Sequence, residues 1–157
     1  MSTPSPKTMH ASRITISQLM QPEHANHHGN VHGGWIMKLV DEAGALTCMR
    51  HAQHRVVTVA IDQMVFRQPI RIGDLIILTA EVTYTGHTSL EAEVQVVAEN
   101  PITGEQVHTN TAYLVYVALD KDGNAVEVPA LIAETSKEKE RMKEAEKRQK
   151  QRLAQKK

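Results

Sequence analysis

The sequence predicts an α+β domain in which an antiparallel sheet wraps around one long helix. Residues 33 to 51 are apolar on nearly every side, which is the mark of a buried helix. The stretches after it switch to period two and follow one another at short spacing, which is the mark of an antiparallel meander. At 157 residues there is enough chain for a single real core.

Residues 1 to 11 are polar, carry two prolines and are expected to fray. Arg13 to Gln18 alternates polar and apolar, as a half-buried strand does, and Pro22 ends it. Glu23 to Asn30 is a polar loop that leads into a glycine-rich turn. The helix then runs from about Gly33 to about His51. At 100° per residue Trp35, Ile36, Leu39, Val40, Ala43 and Leu46 form one broad apolar face. Asp41 lies on the other side, near Gly34, Gly44 and Cys48. Such small residues let something approach closely, either a substrate or a second chain.

Val56 to Phe66 is β-branched and reads as a long strand. Leu75 to Thr85, Ser89 to Glu99 and Gln106 to Asp120 are three more, separated by turns at Gly86 and Gly104. In the second of these, Leu90, Ala92, Val94 and Val96 face one way and Glu91, Glu93 and Gln95 the other. From Glu134 onward the chain is helix-prone and charged, with Met142, Ala145 and Leu153 too few to build a core face. It reads as a solvated or partly disordered tail, or as a basic arm over a phosphate-bearing ligand. One sheet around one helix leaves the far side of that helix open, so a second copy is expected to close it.

Composition removes several function classes. Lysine plus arginine balance aspartate plus glutamate at 18 each, and aromatics are 3%, which argues against a nucleic-acid binder and against base-stacking platforms. No run of about 18 apolar residues is present to span a membrane. The N-terminal residues hold no apolar signal core. The single cysteine, Cys48, forms no internal disulfide framework and fits a reducing compartment, so the cytoplasm is the expected location. Nine histidines invite a metal, but the spacing of His24, His27, His28 and His32 fits no zinc pattern, and no metal is expected. Cys48 sits mid-helix, where a thiol is inert.

The chemistry concentrates at the turn and the helix. A carboxylate on a buried helix is costly unless partnered. Asp41 is therefore either a surface carboxylate paired with a lysine such as Lys38, or a general base or nucleophile. Asn30 is a turn or N-cap residue, an amide that orients a water or a carbonyl, or both. Gly33 and Gly34 satisfy unusual backbone angles, or they offer N–H groups at a helix N-terminus to a developing oxyanion. Together these features suggest hydrolytic acyl transfer.

At these residues the chain resembles a known family. Gly29 to Gly34 followed by Ile36 to Ala43 is similar to the hotdog-fold acyl-CoA thioester hydrolases of the cytosolic (brain acyl-CoA hydrolase-like) type. Arg50-His51, Val57-Thr58-Val59, Asp62, Phe66, Pro69-Ile70, Gly73-Asp74, Gly86 to Ser89 and Tyr116 to Asp120 match in order, over about residues 12 to 130. The resemblance implies a hotdog domain over 12–130 and a charged helical tail over 131–157. It implies a dimer as the catalytic unit, assembled into a hexamer as a trimer of dimers. Asn30 and Asp41 match the family's catalytic pair, which meets across the dimer interface. Val59, Ala60, Ile61, Thr88, Ser89 and Leu90 match its coenzyme A contacts, and Arg148 a basic contact in the C-terminal segment. The expected reaction is hydrolysis of acyl-CoA to fatty acid and coenzyme A, with no further cofactor. A hotdog dehydratase, which would need a histidine such as His32 acting with the acid, and a non-catalytic acyl-CoA-binding module are the rivals. Trp35, Met37, Met64 and Phe66 are candidates for lining an acyl pocket formed by two chains.

Overall fold

The computed structural model describes residues 3–62 and 64–155. Gln63, within the expected strand 56–66, lies outside the described residues, as do residues 1–2 and 156–157 at the two ends. The elements are β1 (Lys7–Thr8), α1 (Met9–Ser12), β2 (Ile14–Leu19), a 3₁₀ turn (Pro22–His24), α2 (Gly33–Ala52), β3 (Arg55–Ile61), β4 (Leu75–Thr85), β5 (Ser89–Glu99), β6 (Gln106–Leu119), β7 (Leu131–Ile132) and α3 (Ser136–Gln155).

A five-stranded antiparallel sheet, in the order β2-β4-β5-β6-β3, packs its inner face on α2. This is the hotdog arrangement. Inner-face residues alternate along the strands: Ile76, Leu78, Ala80 and Val82 on β4, and Leu90, Ala92, Val94 and Val96 on β5, all fully buried. They meet Ile36, Leu39, Val40, Ala43, Thr47 and Cys48 of α2. Leu46, expected on the buried face, is instead 41% exposed, and Met37 is 43% exposed. Both lie on the side of the helix the sheet does not cover. No helix among the described residues is long and apolar enough to cross a membrane.

Three expectations are corrected. The strand expected over 56–66 ends at Ile61. After it, among the described residues, Asp62 and Arg67 still bond to β6, and Phe66 and Ile70 lie at the N-terminal end of α2, where the Ile70 carbonyl accepts from Val31 N–H. Residues 7 to 11, expected to fray, are ordered: β1 pairs in parallel with β7, and Met9 is fully buried. The charged tail is not a solvated arm. α3 lies on the outer face of the sheet, where Arg141, Arg148 and Arg152 engage Glu81, Glu93, Glu91 and Asp62. The arginines and the buried Ala145 recur at spacings of four, three and four, so one stripe of the helix faces the sheet. The polar face of β5 was legible as polar, but it is covered by charge instead of by water.

Candidate active site

Asp41 projects from the middle of α2 toward the edge of the sheet formed by β6 and β3. Its carboxylate is half-buried. Thr58 Oγ1 donates to Oδ1 at 2.9 Å. The Tyr116 hydroxyl lies 2.9 Å from the same Oδ1 and 3.0 Å from the Asp41 carbonyl. Lys38, the alternative partner, instead pairs with Glu42 at 2.6 Å. Burial, and then the adjacent Asp41 charge, push the Tyr116 phenol far above its ordinary value, so it stays protonated and keeps its proton to donate to the carboxylate. Burial, with Glu91 adding to it, likewise pushes the Cys48 thiol up, which leaves it unreactive.

The glycine turn is built by its own hydrogen bonds. Asn26 Oδ1 accepts from the N–H groups of His28 and Asn30, and Gly29 adopts a left-handed φ of 86°. Asn30 is partly exposed, and its side chain has no hydrogen bond to the described residues. It is not the N-cap. His32 caps α2 instead, its Nδ1 accepting from Gly34 N–H at 2.9 Å. Gly34 N–H is thus engaged, whereas Gly33 N–H meets no acceptor among the described residues. The space beside Gly33 is bounded by the Phe66 ring, 3.7 Å from where a Cβ would stand.

The expected coenzyme A contacts fall on adjacent rungs of the sheet. Leu90 pairs with Tyr116, which pairs with Thr58, and Glu91 pairs with Val115, which pairs with Ala60. Val59, Ala60 and Ile61 line a groove of about 360 Å³ whose other wall is Gln149, Arg152 and Leu153 of α3. Val59 is 55% exposed and open to a ligand. The Leu90 side chain is not: it is fully buried in the core, because it lies on the inner face of β5, so only its backbone could serve. Thr88 and Ser89 sit in and after the β4–β5 turn and are partly exposed. Arg148 donates to both oxygens of Glu91, at 2.8 and 3.0 Å, and stacks on Tyr113 with its guanidinium carbon 3.7 Å from the ring centre. Burial disfavours its charge, but the hydrogen bond and charge of Glu91 outweigh that, so it is held more firmly protonated than usual.

A family model described as the thioesterase superfamily matches residues 28–105. An uncharacterized acyl-CoA thioester hydrolase of Bacillus subtilis, YkhA, is 33% identical over 138 residues, which cover 88% of this chain and 80% of that protein. The chain belongs to the thioesterase superfamily. The human cytosolic acyl coenzyme A thioester hydrolase is 35% identical over 143 residues, or 90% of this chain but 38% of its own length. The chain thus spans well under half of that longer relative. Among solved structures, an apo-hexameric acyl-CoA thioesterase superposes with a TM-score of 0.92 at 35% identity, covering 97% of both chains.

Two residues beside Asp41 were not singled out by the sequence. Thr58 and Tyr116 were each seen as part of a strand and of a matching stretch, with no role of their own. Tyr116 lies 75 residues from Asp41, and no local pattern joins them. Gly44 was the available signal. The small-residue surface beside Asp41 does admit a close neighbour, but at Gly44 that neighbour is Tyr116 of the same chain. Among the described residues no three histidine, cysteine, aspartate or glutamate side chains cluster as metal ligands do.

Proposed function

We propose that this chain hydrolyses acyl-CoA thioesters, with Asp41 as the base. The observation that carries the reading is a half-buried carboxylate held by two neutral hydroxyls on one oxygen, with no cation among the described residues paired to it. Such a carboxylate is aimed by its donors and is not tied up in an ion pair. Water attacks the thioester carbon while Asp41 takes its proton. The oxyanion is met by Gly33 N–H at the positive end of α2, and by Gly34 N–H where His32 yields it. The carbon–sulfur bond breaks and the proton passes to the departing thiolate. Asn30 orients the water or the carbonyl. Direct attack by Asp41, giving an anhydride, is the alternative chemistry at the same residue. Labelled water in a single turnover separates the two, because attack by Asp41 puts label in the enzyme carboxylate.

A second copy supplies the rest of the site in this reading. Val57, Val59 and Ile61 on the edge strand β3, with Met37 and Leu46 on α2, are large apolar residues left at 41 to 55% exposure. That favours a homodimer in which Asn30 of one subunit meets Asp41 of the other, assembled further as a hexamer of three dimers. Val59, Ala60, Ile61, Thr88, Ser89 and Arg148 receive coenzyme A, with the Leu90 backbone alongside. A cytosolic location goes with this reading. Asp41→Ala and Asn30→Ala are each expected to lower acyl-CoA turnover by about 10²- to 10⁴-fold. Hydrolysis near the wild-type rate by both variants sinks the assignment.

A further inference from the structure

We infer that Tyr116 is a positioning residue for the Asp41 base, and that Gly44 is the gap through which its hydroxyl reaches the carboxylate. The inference rests on the reading of Asp41 given above and goes beyond it. A carboxylate on a helix can rotate about two side-chain bonds. Here two donors from two different strands, Thr58 on β3 and Tyr116 on β6, converge on Oδ1. No donor among the described residues reaches Oδ2. One oxygen is pinned, the helix fixes the other end of the side chain, and the direction of Oδ2 follows. Oδ2 is then the oxygen that meets water.

Packing alone does not account for this pair. Tyr116 is fully buried, and a phenylalanine would fill the same core volume without bringing in a hydroxyl that needs a partner. Gly44 is mid-helix, where glycine is less favourable than alanine. A Cβ there would collide with the Tyr116 hydroxyl and stand 3.1 Å from its ring carbon Cζ. Alanine would favour the helix at 44, and phenylalanine would need no buried partner at 116. This chain forgoes both and obtains a hydrogen bond to Asp41.

The test uses the full-length assembled protein, with butyryl-CoA and palmitoyl-CoA as substrates. Tyr116→Phe is expected to lower kcat by about 10- to 100-fold while KM stays within about twofold. Thr58→Ala is expected to behave alike. Because the two donors act together on the one oxygen Oδ1, the double variant is expected to lose less than the product of the two single losses. Gly44→Ala is expected to reproduce the kcat loss by displacing the hydroxyl, and adding it to Tyr116→Phe should cost little more. A folded Tyr116→Phe enzyme with wild-type kcat overturns the inference, and so does a double variant whose losses simply multiply. Where Tyr116→Phe does not fold, 3-fluorotyrosine installed at 116 keeps the shape and strengthens the donor. A more strongly hydrogen-bonded carboxylate is a weaker base, so kcat should fall with KM unmoved, and an unchanged kcat overturns the inference. Asp41→Asn run in parallel separates the failures. Turnover surviving in Asp41→Asn removes the base itself. Turnover lost there but intact in Tyr116→Phe removes only the positioning role.

Discussion

Asp41 and Glu91 are both carboxylates drawn out of water, and they are held in opposite ways. Asp41 is half-buried and meets two neutral hydroxyls on a single oxygen. Glu91 is 1% exposed and meets Arg148 and Arg152, with the Thr83 hydroxyl at 2.6 Å as well. Burial alone does not mark a reactive group. What distinguishes the two is the partner. Paired cations neutralise Glu91 and fix it as a structural joint between β5 and α3. Neutral donors orient Asp41 and leave its charge available.

Exchanging each carboxylate for its amide tests this contrast most directly. Asp41→Asn should cost about 10²- to 10⁴-fold in kcat while moving the melting temperature little, since the side chain keeps its size and an acceptor oxygen. Glu91→Gln should do the reverse. It leaves the partly buried Arg148 guanidinium without a counter-charge and Arg152 with Asp62 alone, at a cost of about 3–5 kcal/mol. For a domain of this size that lowers Tm by roughly 10 °C in a thermal melt. A Glu91→Gln protein that melts like the wild type would dissolve the contrast.

The contrast also marks how far the sequence could be read. Strands β4 and β5 were legible to the residue, because each has one buried and one polar face and their turns carry glycine or asparagine. The helix α2 was legible from its apolar girth. The loop after Ile61 was not, since Met64, Val65 and Phe66 look like strand residues and only their place over the end of α2 keeps them out of the sheet. Asn30 and Asp41 stood out by residue type and resemblance. Their supports did not: Thr58 and Tyr116 reach Asp41 through tertiary packing. The α3 contact lay between these cases. Glutamates at 81, 91 and 93 share the outer face of two neighbouring strands, and arginines at 141, 148 and 152 share one face of a helix. Nothing in a linear pattern says that the two faces meet.

Smaller effects sharpen the comparison. Arg148→Met removes two charged hydrogen bonds but leaves Arg152 on Glu91, so the expected loss is about 2 kcal/mol in urea denaturation. The same variant should raise KM for acyl-CoA with kcat held, because Arg148 is also the proposed phosphate contact. A third kind of buried titratable group is His51, uncharged among neutral partners. Its Nε2 bonds to the Pro129 carbonyl at 2.8 Å, and Ser12 Oγ lies 3.4 Å from Nδ1. Burial, with Lys7 adding to it, pushes His51 below its ordinary value, against the pull of the Pro129 carbonyl. The unfolded chain therefore takes up a proton at higher pH than the folded one. Stability is whole above about pH 6.5 and is lost as pH falls from there toward the lowered folded-state value. Melts at about pH 7.5 and 5.5 should show the decline, and His51→Gln should flatten it.

The pairing of β1 with β7 has a consequence at a different scale. Lys7 bonds to Ala130 through its backbone, and its ammonium caps the carbonyls of Arg50 and His51 at the end of α2. Two distant parts of the chain are thus stitched together over the terminus of the central helix, immediately before α3 begins. Trimming the first dozen residues for expression, or fusing a rigid partner against them, would open a seam shared by the helix that carries Asp41 and the segment that delivers Arg148. An affinity tag is better carried elsewhere.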